Sequence, residues 1–352
     1  MYHPALDVAM LVACVNQSLG AQFSDEPEVV FASYEDPPDL RLTALLRTDS
    51  IEHPSVVIKA NKSPLLANSA AIHILAASAG GGYVPRVLGS AQNDDASLLL
   101  LERFEGSPAS EMGLDGLVAV ANSLSHIQLR VSRAQIAHAN LAILKLDDLH
   151  LVFGRCQSKI LEAFERVWFA DDDSKLSRAL KGPIETIPLL LASVEALLPT
   201  LIGAVSAAGV DYSIHHGDLH SGNAVLMSDG SALIYDWETG SVAHPFFSME
   251  KLLTSGWAMD ENQSGGPWGY VRSTPSQENL KRTYLGAFDG DPRVLGSAFD
   301  AAMCLAVLVE MDFEIKWAEV CGWDNGNPEW TAQLINRLRE HQAQFLKPIQ
   351  IL

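Results

Sequence analysis

Two stretches of sequence decide the expected fold: IHHGDLHSGN at residues 214–223 and ALIYDWE at residues 232–238. The first contains a His, followed two residues later by Asp218 and five residues after that by Asn223. The second is an apolar run that leads to Asp236, a short hairpin further along the chain. Phosphoryl transfer requires polar residues of these types at this spacing.

The chemistry explains why these residue types are needed. One carboxylate accepts or orients the proton of the attacking hydroxyl, while an amide oxygen and a second carboxylate hold Mg²⁺, which bridges phosphate oxygens. Oxygen ligands suit this hard cation, which keeps several waters and so needs few protein groups. The alternative is a polar hairpin in which Asp229-Gly230 makes the turn. That alternative does not account for three further polar residues at catalytic-loop spacing between apolar strands.

Upstream of these motifs, the first hundred residues mix helical periodicity with short β-like runs. Apolar residues at helical spacing predict a first helix within Met1–Leu19, and small residues predict a second helix over Leu65–Ala79. Five strands are predicted around the second helix: Val29–Ser33, Leu40–Thr48, Ser55–Ala60, Arg86–Ser90 and Ser97–Arg103. This combination predicts an α+β lobe.

Beyond Gly106 the periodicity becomes helical, apart from a β-rich patch over Ser213–Trp237. Helices are predicted at Leu114–Val131, Cys156–Phe169, Ile184–Ala208 and Thr331–Phe345. The predicted division is an N-terminal nucleotide-binding lobe, residues 1–105, and a C-terminal helical lobe with the catalytic loop and substrate site, residues 106–352. A cleft between two such lobes is a common place for a ligand.

Composition narrows the classes of function. The 352 residues carry a formal net charge of −19, which argues against nucleic acid and against anionic membrane surfaces as partners. The four cysteines form no CxxC pair, which argues against structural zinc and indicates a reducing compartment. No signal peptide is recognised and no apolar stretch is judged long enough to cross a membrane, so a soluble cytoplasmic protein is expected.

HGDLHSGN at residues 216–223 and IYDWE at residues 234–238 resemble the hallmark motifs of the aminoglycoside phosphotransferase and choline kinase family, relatives of the protein kinases. The resemblance implies a protein-kinase-like two-lobed α+β fold, with a small mixed β-sheet lobe and a larger, mainly helical lobe. It implies ATP and Mg²⁺ as cofactors, with Asn223 and Asp236 as the magnesium ligands. Asp218 is then the implied catalytic base, and His216 is assigned to the nucleotide site as a residue that braces its loop.

Within the predicted β-lobe, the resemblance singles out one lysine and one short segment. Lys59 interrupts the apolar strand VVIKA at residues 56–60, and a kinase-like enzyme uses such a lysine to contact the α- and β-phosphates of ATP. The alternative is a surface lysine at a strand end. Glu102, Arg103 and Phe104 follow the apolar run Leu98–Leu101 and resemble the hinge that binds adenine through its backbone.

One departure from the family pattern concerns the partner of Lys59. The family usually has a Glu on the following helix, whereas Lys62–Tyr83 contains no acidic residue. We therefore expect Asn68 or Ser69 to lie near Lys59, with no carboxylate other than Asp236 in contact with it. The lysine would then be held by a neutral partner or by the nucleotide alone.

Two further departures lie in loops. Ser33–Asp39 contains no glycine, although a phosphate-cradling loop normally relies on close backbone approach. His244–Met249 lacks the Asp of the family's downstream P..D segment. These departures weaken the expected ATP site more than the catalytic loop. A second hypothesis therefore stays open: a catalytically impaired pseudoenzyme that binds nucleotide or metabolite without turnover.

The expected partner is a small-molecule substrate of aminoglycoside, choline or sugar type, and the sequence leaves a cationic one as an option. Acidic residues of the helical lobe either line a pocket for an amine or form a solvated helix face. They are Glu310, Asp312, Glu314, Glu319 and the pair Asp260-Glu261. The Gly- and Ser-rich stretch Gln263–Ser276 is a candidate mobile loop over the substrate.

Overall fold

The structure is a computed structural model that describes residues 7–19, 29–34, 40–48, 50–93, 95–169, 184–254, 275–320 and 328–346. The chain divides into two compact units. The first unit is Met1–Ala142 with Ser221–Val242, and the second is Ile143–His220 with Ala243–Leu352. These units do not coincide with the predicted lobes 1–105 and 106–352, whose boundary stays a prediction.

The first unit is built on an antiparallel sheet with two helices beside it. Its strands are β1 (Val29–Tyr34), β2 (Arg41–Arg47), β3 (Ser55–Asn61), β4 (Val87–Gln92) and β5 (Ser97–Glu102). The helices are α1 (Val8–Leu19) and α2 (Ser69–Gly80). The strand order is β1-β2-β3-β5-β4, and every pairing is antiparallel. The five predicted strands are confirmed to within two residues at each end.

The two faces of this sheet have different partners. Ile58 of β3 is buried in one apolar cluster with Leu11 of α1. The residues on either side of Ile58 point the other way, because side chains alternate along a strand. Val57 packs on that opposite face beside Ala70 of α2. Lys59 shares this face, so β3 directs its lysine toward the α2 side of the sheet.

The first unit also holds the second sequence motif, on a small three-stranded sheet. Two further helices of this unit are α3 (Gly113–Arg130) and α4 (Arg133–His138). The other strands in the described part of the chain are β6 (Ser107–Pro108), β7 (Ser213–His215), β8 (Ala224–Leu226), β9 (Ala232–Ile234) and β10 (Ser241–Ala243). The order in this sheet is β6-β8-β9. The predicted turn between β8 and β9 is present, and Gly230 adopts φ +82°, a conformation that favours glycine.

The second unit is mainly helical. Its helices are α5 (Leu149–Phe169), α6 (Ile187–Ala207), α7 (Met249–Thr254), α8 (Pro275–Leu285), α9 (Pro292–Val320) and α10 (Pro328–Leu346). The long helix α9 packs against α5, α6 and α10, so it forms the centre of this unit. The sequence had not predicted α9. Of the candidate mobile loop Gln263–Ser276, residues 263–274 lie outside the described residues, and the last two begin α8.

Within the residues that the structure describes, three helical stretches are long and apolar enough to cross a membrane, judged by length and composition only. They are Pro64–Tyr83, Ile187–Ala207 and Pro292–Val320. The expectation that no apolar stretch has this length is therefore wrong. In Pro292–Val320, 72% of the apolar window is buried inside the protein, which agrees with the central position of α9.

Candidate active site

Lys59 is the cation at the centre of the first unit's polar cluster. Its Nζ donates a hydrogen bond to Oδ1 of Asp236 and lies 2.7 Å from Oε1 of Glu238. Burial by itself would lower the pKa of Lys59, but Glu238 and Asp236 outweigh burial and hold that pKa above its ordinary value. Lys59 is therefore a charged ammonium group held between two carboxylates.

Glu238 corrects the expectation about how Lys59 is held. We expected no carboxylate other than Asp236 in contact with this lysine, and Glu238 shows that this is wrong. The side chains of Lys59 and Glu238 are only 11% and 10% exposed, so their ion pair is well shielded from water. The argument that a missing helix Glu weakens the ATP site fails for the same reason. The signal was present in the second motif, where Glu238 follows Asp236 by two residues.

Arg41 supplies a second cation to Glu238. In the β2–β3 register, Arg41 lies opposite Asn61 and Thr43 lies opposite Lys59, so Arg41 and Lys59 share one face of the sheet. Nη2 and Nε of Arg41 donate to Oε2 of Glu238 at 2.8 and 3.2 Å. Each oxygen of Glu238 therefore has its own cation, which fixes the orientation of this carboxylate. No local sequence pattern near Arg41 or Glu238 predicts this contact.

A small cavity lies beside Lys59 and Glu238. Ser69, the first residue of α2, lines this cavity with them, so the expectation that Asn68 or Ser69 lies near Lys59 is confirmed through Ser69. His73 lines the same cavity. Burial, with a smaller contribution from the charge of Lys59, lowers the pKa of His73 to about 4, so this imidazole is neutral at physiological pH.

The backbone around Asp236 is shaped by a buried tryptophan. Asp236 adopts φ +67°, a left-handed conformation that Asp tolerates better than most residues. Trp237 is fully buried, and its Nε1 donates to the carbonyl of Ile234 at 3.0 Å. The short 3₁₀ turn Trp237–Thr239 packs against α2. Trp237 thus anchors the chain between the two carboxylates that hold Lys59.

Asn223 lies beside the end of β9, and Asp236 follows two residues after that strand. It ends a 3₁₀ turn, its side chain is buried, and its carbonyl accepts a hydrogen bond from the N–H of Tyr235 at 3.0 Å. Together Asn223 and Asp236 offer an amide oxygen and a carboxylate, and Asp236 already attracts a cation in Lys59. Such oxygen donors fit Mg²⁺, which keeps several waters and needs few protein ligands.

The candidate hinge segment, Glu102–Phe104, begins at the last residue of β5. The N–H of Glu102 donates to the carbonyl of Arg86 at 2.9 Å, so it is already engaged within the sheet and is not available to adenine. Arg86 also binds the Glu102 carboxylate, with Nε and Nη2 each at 3.0 Å from its oxygens. The ring of Phe104 packs 5.1 Å from that of Tyr235, while Arg103 pairs with an exposed glutamate. The predicted adenine contact is thereby narrowed to the other backbone groups of this segment.

The second unit holds the first part of the catalytic-loop motif. His216 is fully buried, and its N–H donates to Oγ of Ser248 at 3.1 Å. Its Nδ1 accepts from the N–H of Asp218 at 3.3 Å, so the ring braces the loop backbone. Ser248 lies in His244–Met249, the segment that lacks the family's Asp. A hydroxyl at this position bonds the loop backbone, which the sequence did not predict.

Asp218 is an ionised carboxylate with partial access to solvent. Its Oδ1 accepts from Nζ of Lys251 at 2.8 Å, and Oδ2 lies 3.9 Å from Nε2 of His220. Burial by itself raises the pKa of Asp218, but Lys251 outweighs burial and brings this pKa to about 2. Because the side chain remains 35% exposed, the carboxylate can still be reached by a ligand.

Lys251 is linked to a set of largely buried ionisable side chains. Lys251 Nζ is 3.0 Å from Oε1 of Glu310, and Nη2 of Arg337 donates to Oε2 of Glu310 at 2.5 Å. Arg337 also donates through Nε to Glu250 at 3.0 Å, and Nε2 of His341 lies 2.9 Å from the same carboxylate. We call this set, which Lys251 connects to Asp218, the buried ion chain: Lys251, Glu310, Arg337, Glu250 and His341.

The acidic residues suggested as a substrate pocket have partners within the protein. Glu310 belongs to the buried ion chain, while Asp312 accepts from Arg155 at 2.7 Å and from Lys316 at 2.6 Å. Glu319 pairs with a lysine of α5 at 3.2 Å. For Glu310 and Asp312, ion pairs within the protein replace both suggested roles. Glu319 is 57% exposed, so its pair lies on a solvated helix face, as the second alternative expected. The pair Asp260-Glu261 lies outside the described residues.

The sequence of this chain matches the profile of a known enzyme family. The sequence profile of the phosphotransferase enzyme family, also called APH, matches residues 53–264, which is more than half of the chain. The chain belongs to this family. A comparison with curated protein sequences finds no significant match. The family assignment identifies the chain, at this level of detail, as a small-molecule phosphotransferase.

Solved structures of phosphotransferases have the same fold. A spectinomycin phosphotransferase aligns with 97% of this chain and 98% of its own, at 12% identity and a TM-score of 0.56. Choline kinase from Cryptosporidium parvum aligns with 98% of both chains at 11% identity and a TM-score of 0.59. An aminoglycoside phosphotransferase from Alicyclobacillus acidocaldarius covers 92% of this chain and 93% of its own, at 11% identity and 0.54. The predicted protein-kinase-like α+β fold is confirmed.

Proposed function

We propose that this phosphotransferase moves the γ-phosphate of ATP to a hydroxyl group of a small molecule, in a reaction that depends on Mg²⁺. The observation that carries the proposal is the state of the two motif carboxylates. Asp218 and Asp236 are each paired with a lysine, Lys251 and Lys59 respectively. Both carboxylates are therefore fixed and charged, as a base and a metal ligand must be.

Asp218 serves as the base that accepts or orients the proton of the acceptor hydroxyl. The low pKa keeps it ionised throughout the physiological range, so it can always accept a hydrogen bond from that hydroxyl. A base of this kind contributes mainly by aligning the attack, since phosphoryl transfer is largely positioning and electrostatics. His216 and Ser248 hold the loop in place around it.

Lys59 binds the phosphates of the nucleotide, while Asn223 and Asp236 hold Mg²⁺, which neutralises charge on the phosphate oxygens. Glu238 supports this assignment, because it keeps Lys59 charged and oriented even when Asp236 is engaged elsewhere. The similar spectinomycin phosphotransferase was solved with ADP, which supports the use of an adenine nucleotide here. The remaining backbone groups of Glu102–Phe104 are our candidates for the adenine contact.

The acceptor belongs to the amino-alcohol, aminoglycoside or sugar class. The solved relatives include enzymes for spectinomycin and choline, and this supports a hydroxylated and cationic acceptor. The net charge of −19 supports the same choice and disfavours nucleic acid and anionic membrane as partners. We also propose a cytoplasmic location, for which the buried free thiols of Cys14, Cys156 and Cys304 are the supporting feature.

The second candidate, a pseudoenzyme that binds nucleotide without turnover, has less support. Asp218, Asn223 and Asp236 are all retained, and Lys59 has a second carboxylate partner in Glu238. The remaining argument for impairment is the absence of glycine in the loop after β1, and residues 35–39 of that loop lie outside the described residues.

The experiment measures ADP production from Mg·ATP across a panel of amino alcohols, aminoglycosides, other antibiotics and sugars. We expect at least one acceptor to stimulate ADP production, and we expect EDTA to abolish this stimulation. Asp236→Ala should abolish it as well, whereas Asp115→Ala, at an exposed position on α3, should not. Stimulation that survives Asp236→Ala would contradict the metal assignment. A protein that binds Mg·ATP but responds to no acceptor would favour the pseudoenzyme.

A further inference from the structure

Lys251 forms ion pairs with the partly exposed Asp218 of the catalytic loop and with the buried Glu310. It lies on α7, and its side chain is 14% exposed, compared with 35% for Asp218 and 8% for Glu310. The ammonium group is 2.8 Å from an oxygen of Asp218 and 3.0 Å from an oxygen of Glu310. No sequence motif assigns a role to this lysine.

The position of Lys251 is fixed by its ion pair with Glu310. Glu310 on α9 is also bound by Arg337 of α10, and Arg337 in turn binds Glu250 of α7. If Lys251 moved away, Glu310 would lose one of its two cations in a buried setting, which is strongly unfavourable. Lys251 is thus held at a defined place by Glu310 of α9, which Arg337 of α10 binds in turn.

The charges around Asp218 show what the lysine does. Lys251 approaches from α7, and His216 and His220 belong to the same loop as Asp218. Glu310 from α9 and Arg337 from α10 act on Lys251 itself. Of the groups that favour ionised Asp218, Lys251 contributes most, while burial acts against ionisation more than any other cause.

We propose that Lys251 is a positioning residue for phosphoryl transfer: anchored on Glu310, its ammonium holds one oxygen of Asp218 in a fixed direction and favours the ionised form of that carboxylate. The effect on turnover rests on the proposed function. The effect on the charge of Asp218 does not, because it follows from the contact alone.

Removing Lys251 should raise the pKa of Asp218. With Lys251 present, the pKa of Asp218 is about 2, below the ordinary value of 3.8. Without the ammonium, burial is the largest remaining influence, and burial favours the protonated acid. Lys251→Met should therefore raise the pKa of Asp218 by about 1–3 pH units, the usual effect of one nearby opposite charge. Asp218 would then take up a proton at a higher pH than in the parent.

The charge of Asp218 can be followed directly by carbon NMR of protein labelled at aspartate carboxyl carbons. The Asp218 resonance is the one lost in Asp218→Asn. We expect its titration to lie below the ordinary range in the parent and in Lys251→Arg, and to move up in Lys251→Met. Lys281→Met is the matched control, because it removes a similar ion pair, with Asp300, from the same unit. This control should leave the Asp218 titration unchanged.

Two results would overturn the inference. The first is a parent Asp218 that titrates at or above the ordinary range, a result that needs no variant to fold. The second is a folded Lys251→Met variant in which the titration does not move. Once an acceptor is found, the acid limb of the kcat against pH profile should move up in Lys251→Met and be restored in Lys251→Arg. A shifted NMR titration in a protein with no phosphoryl transfer would uphold the role of Lys251 and contradict the proposed function instead.

Discussion

In each unit a lysine lies between two carboxylates, but the side chain with the proposed role in the reaction differs: it is the lysine in the first unit and a carboxylate in the second. In the first unit, Lys59 lies between Asp236 and Glu238. In the second, Lys251 lies between Asp218 and a buried glutamate. Each lysine is thus shared between a motif carboxylate and an anchoring carboxylate. In the first unit the lysine itself is expected to bind the substrate nucleotide, whereas in the second unit its role is to set the state of the carboxylate.

The anchoring carboxylates lie in different surroundings. In the first unit, Glu238 forms an ion pair with Arg41, whose side chain is 16% exposed. In the second unit the charges continue inward through Arg337 to Glu250, whose side chains are 9% and 2% exposed. Desolvation makes an unpaired charge expensive, so the second cluster should matter more for folding. The first should matter more for nucleotide binding.

Of the changes that test this comparison, Arg337→Met should have the largest effect, a loss of folding stability. The change leaves Glu250 and Glu310 with fewer partners in buried positions, and removing one member of such a pair typically costs about 3–5 kcal/mol. We expect a loss of this size in the free energy of unfolding, measured by urea denaturation. The matched control is Arg103→Met, which breaks an exposed pair with Glu105, whose side chains are 50% and 82% exposed. The control should cost about 1 kcal/mol or less.

If Arg337→Met and Arg103→Met were equally stable, the second cluster would not be a folding element. The contrast between the two units would then be lost.

A smaller effect is expected from Glu238→Gln in the first unit. The amide keeps the shape of the side chain but removes the charge that holds Lys59 when Asp236 is engaged by metal. We expect the dissociation constant of Mg·ATP to rise about tenfold, equivalent to about 1.4 kcal/mol, measured by calorimetry. Glu105→Gln, at an exposed position, is the control and should bind Mg·ATP as the parent does.

Unchanged Mg·ATP binding in Glu238→Gln would mean that Lys59 needs no second carboxylate. The contact between Glu238 and Lys59 would then make no contribution to nucleotide binding.

Local patterns in the sequence predicted much of the first unit. Strand alternation located β1 to β5 and placed Lys59 on one of them, because a period of two is visible within a few residues. The Asp-Gly turn between β8 and β9 was visible for the same reason. The long helix α9 was missed, since most of its turns are apolar or small on all sides and show no clear amphipathic period.

The ion pairs could not be predicted from local patterns. Arg41 and Glu238 are 197 positions apart in the chain, and Arg337 and Glu250 are 87 apart. Lys251 follows Glu250 and precedes two leucines, and no residue close to it in the sequence indicates Asp218 as its partner. Such contacts depend on how distant elements pack, and this is why the expected partner of Lys59 was wrong.

The central claim is that Asp218 acts as the base of a phosphoryl transfer, and Asp218→Asn tests it most directly. The amide keeps the shape of the side chain but not its basicity, and general bases typically contribute about a hundred- to ten-thousand-fold. With the acceptor found in the panel, we expect turnover in Asp218→Asn to fall by that factor while the affinity for Mg·ATP stays nearly unchanged. Turnover equal to that of the parent would contradict the claim.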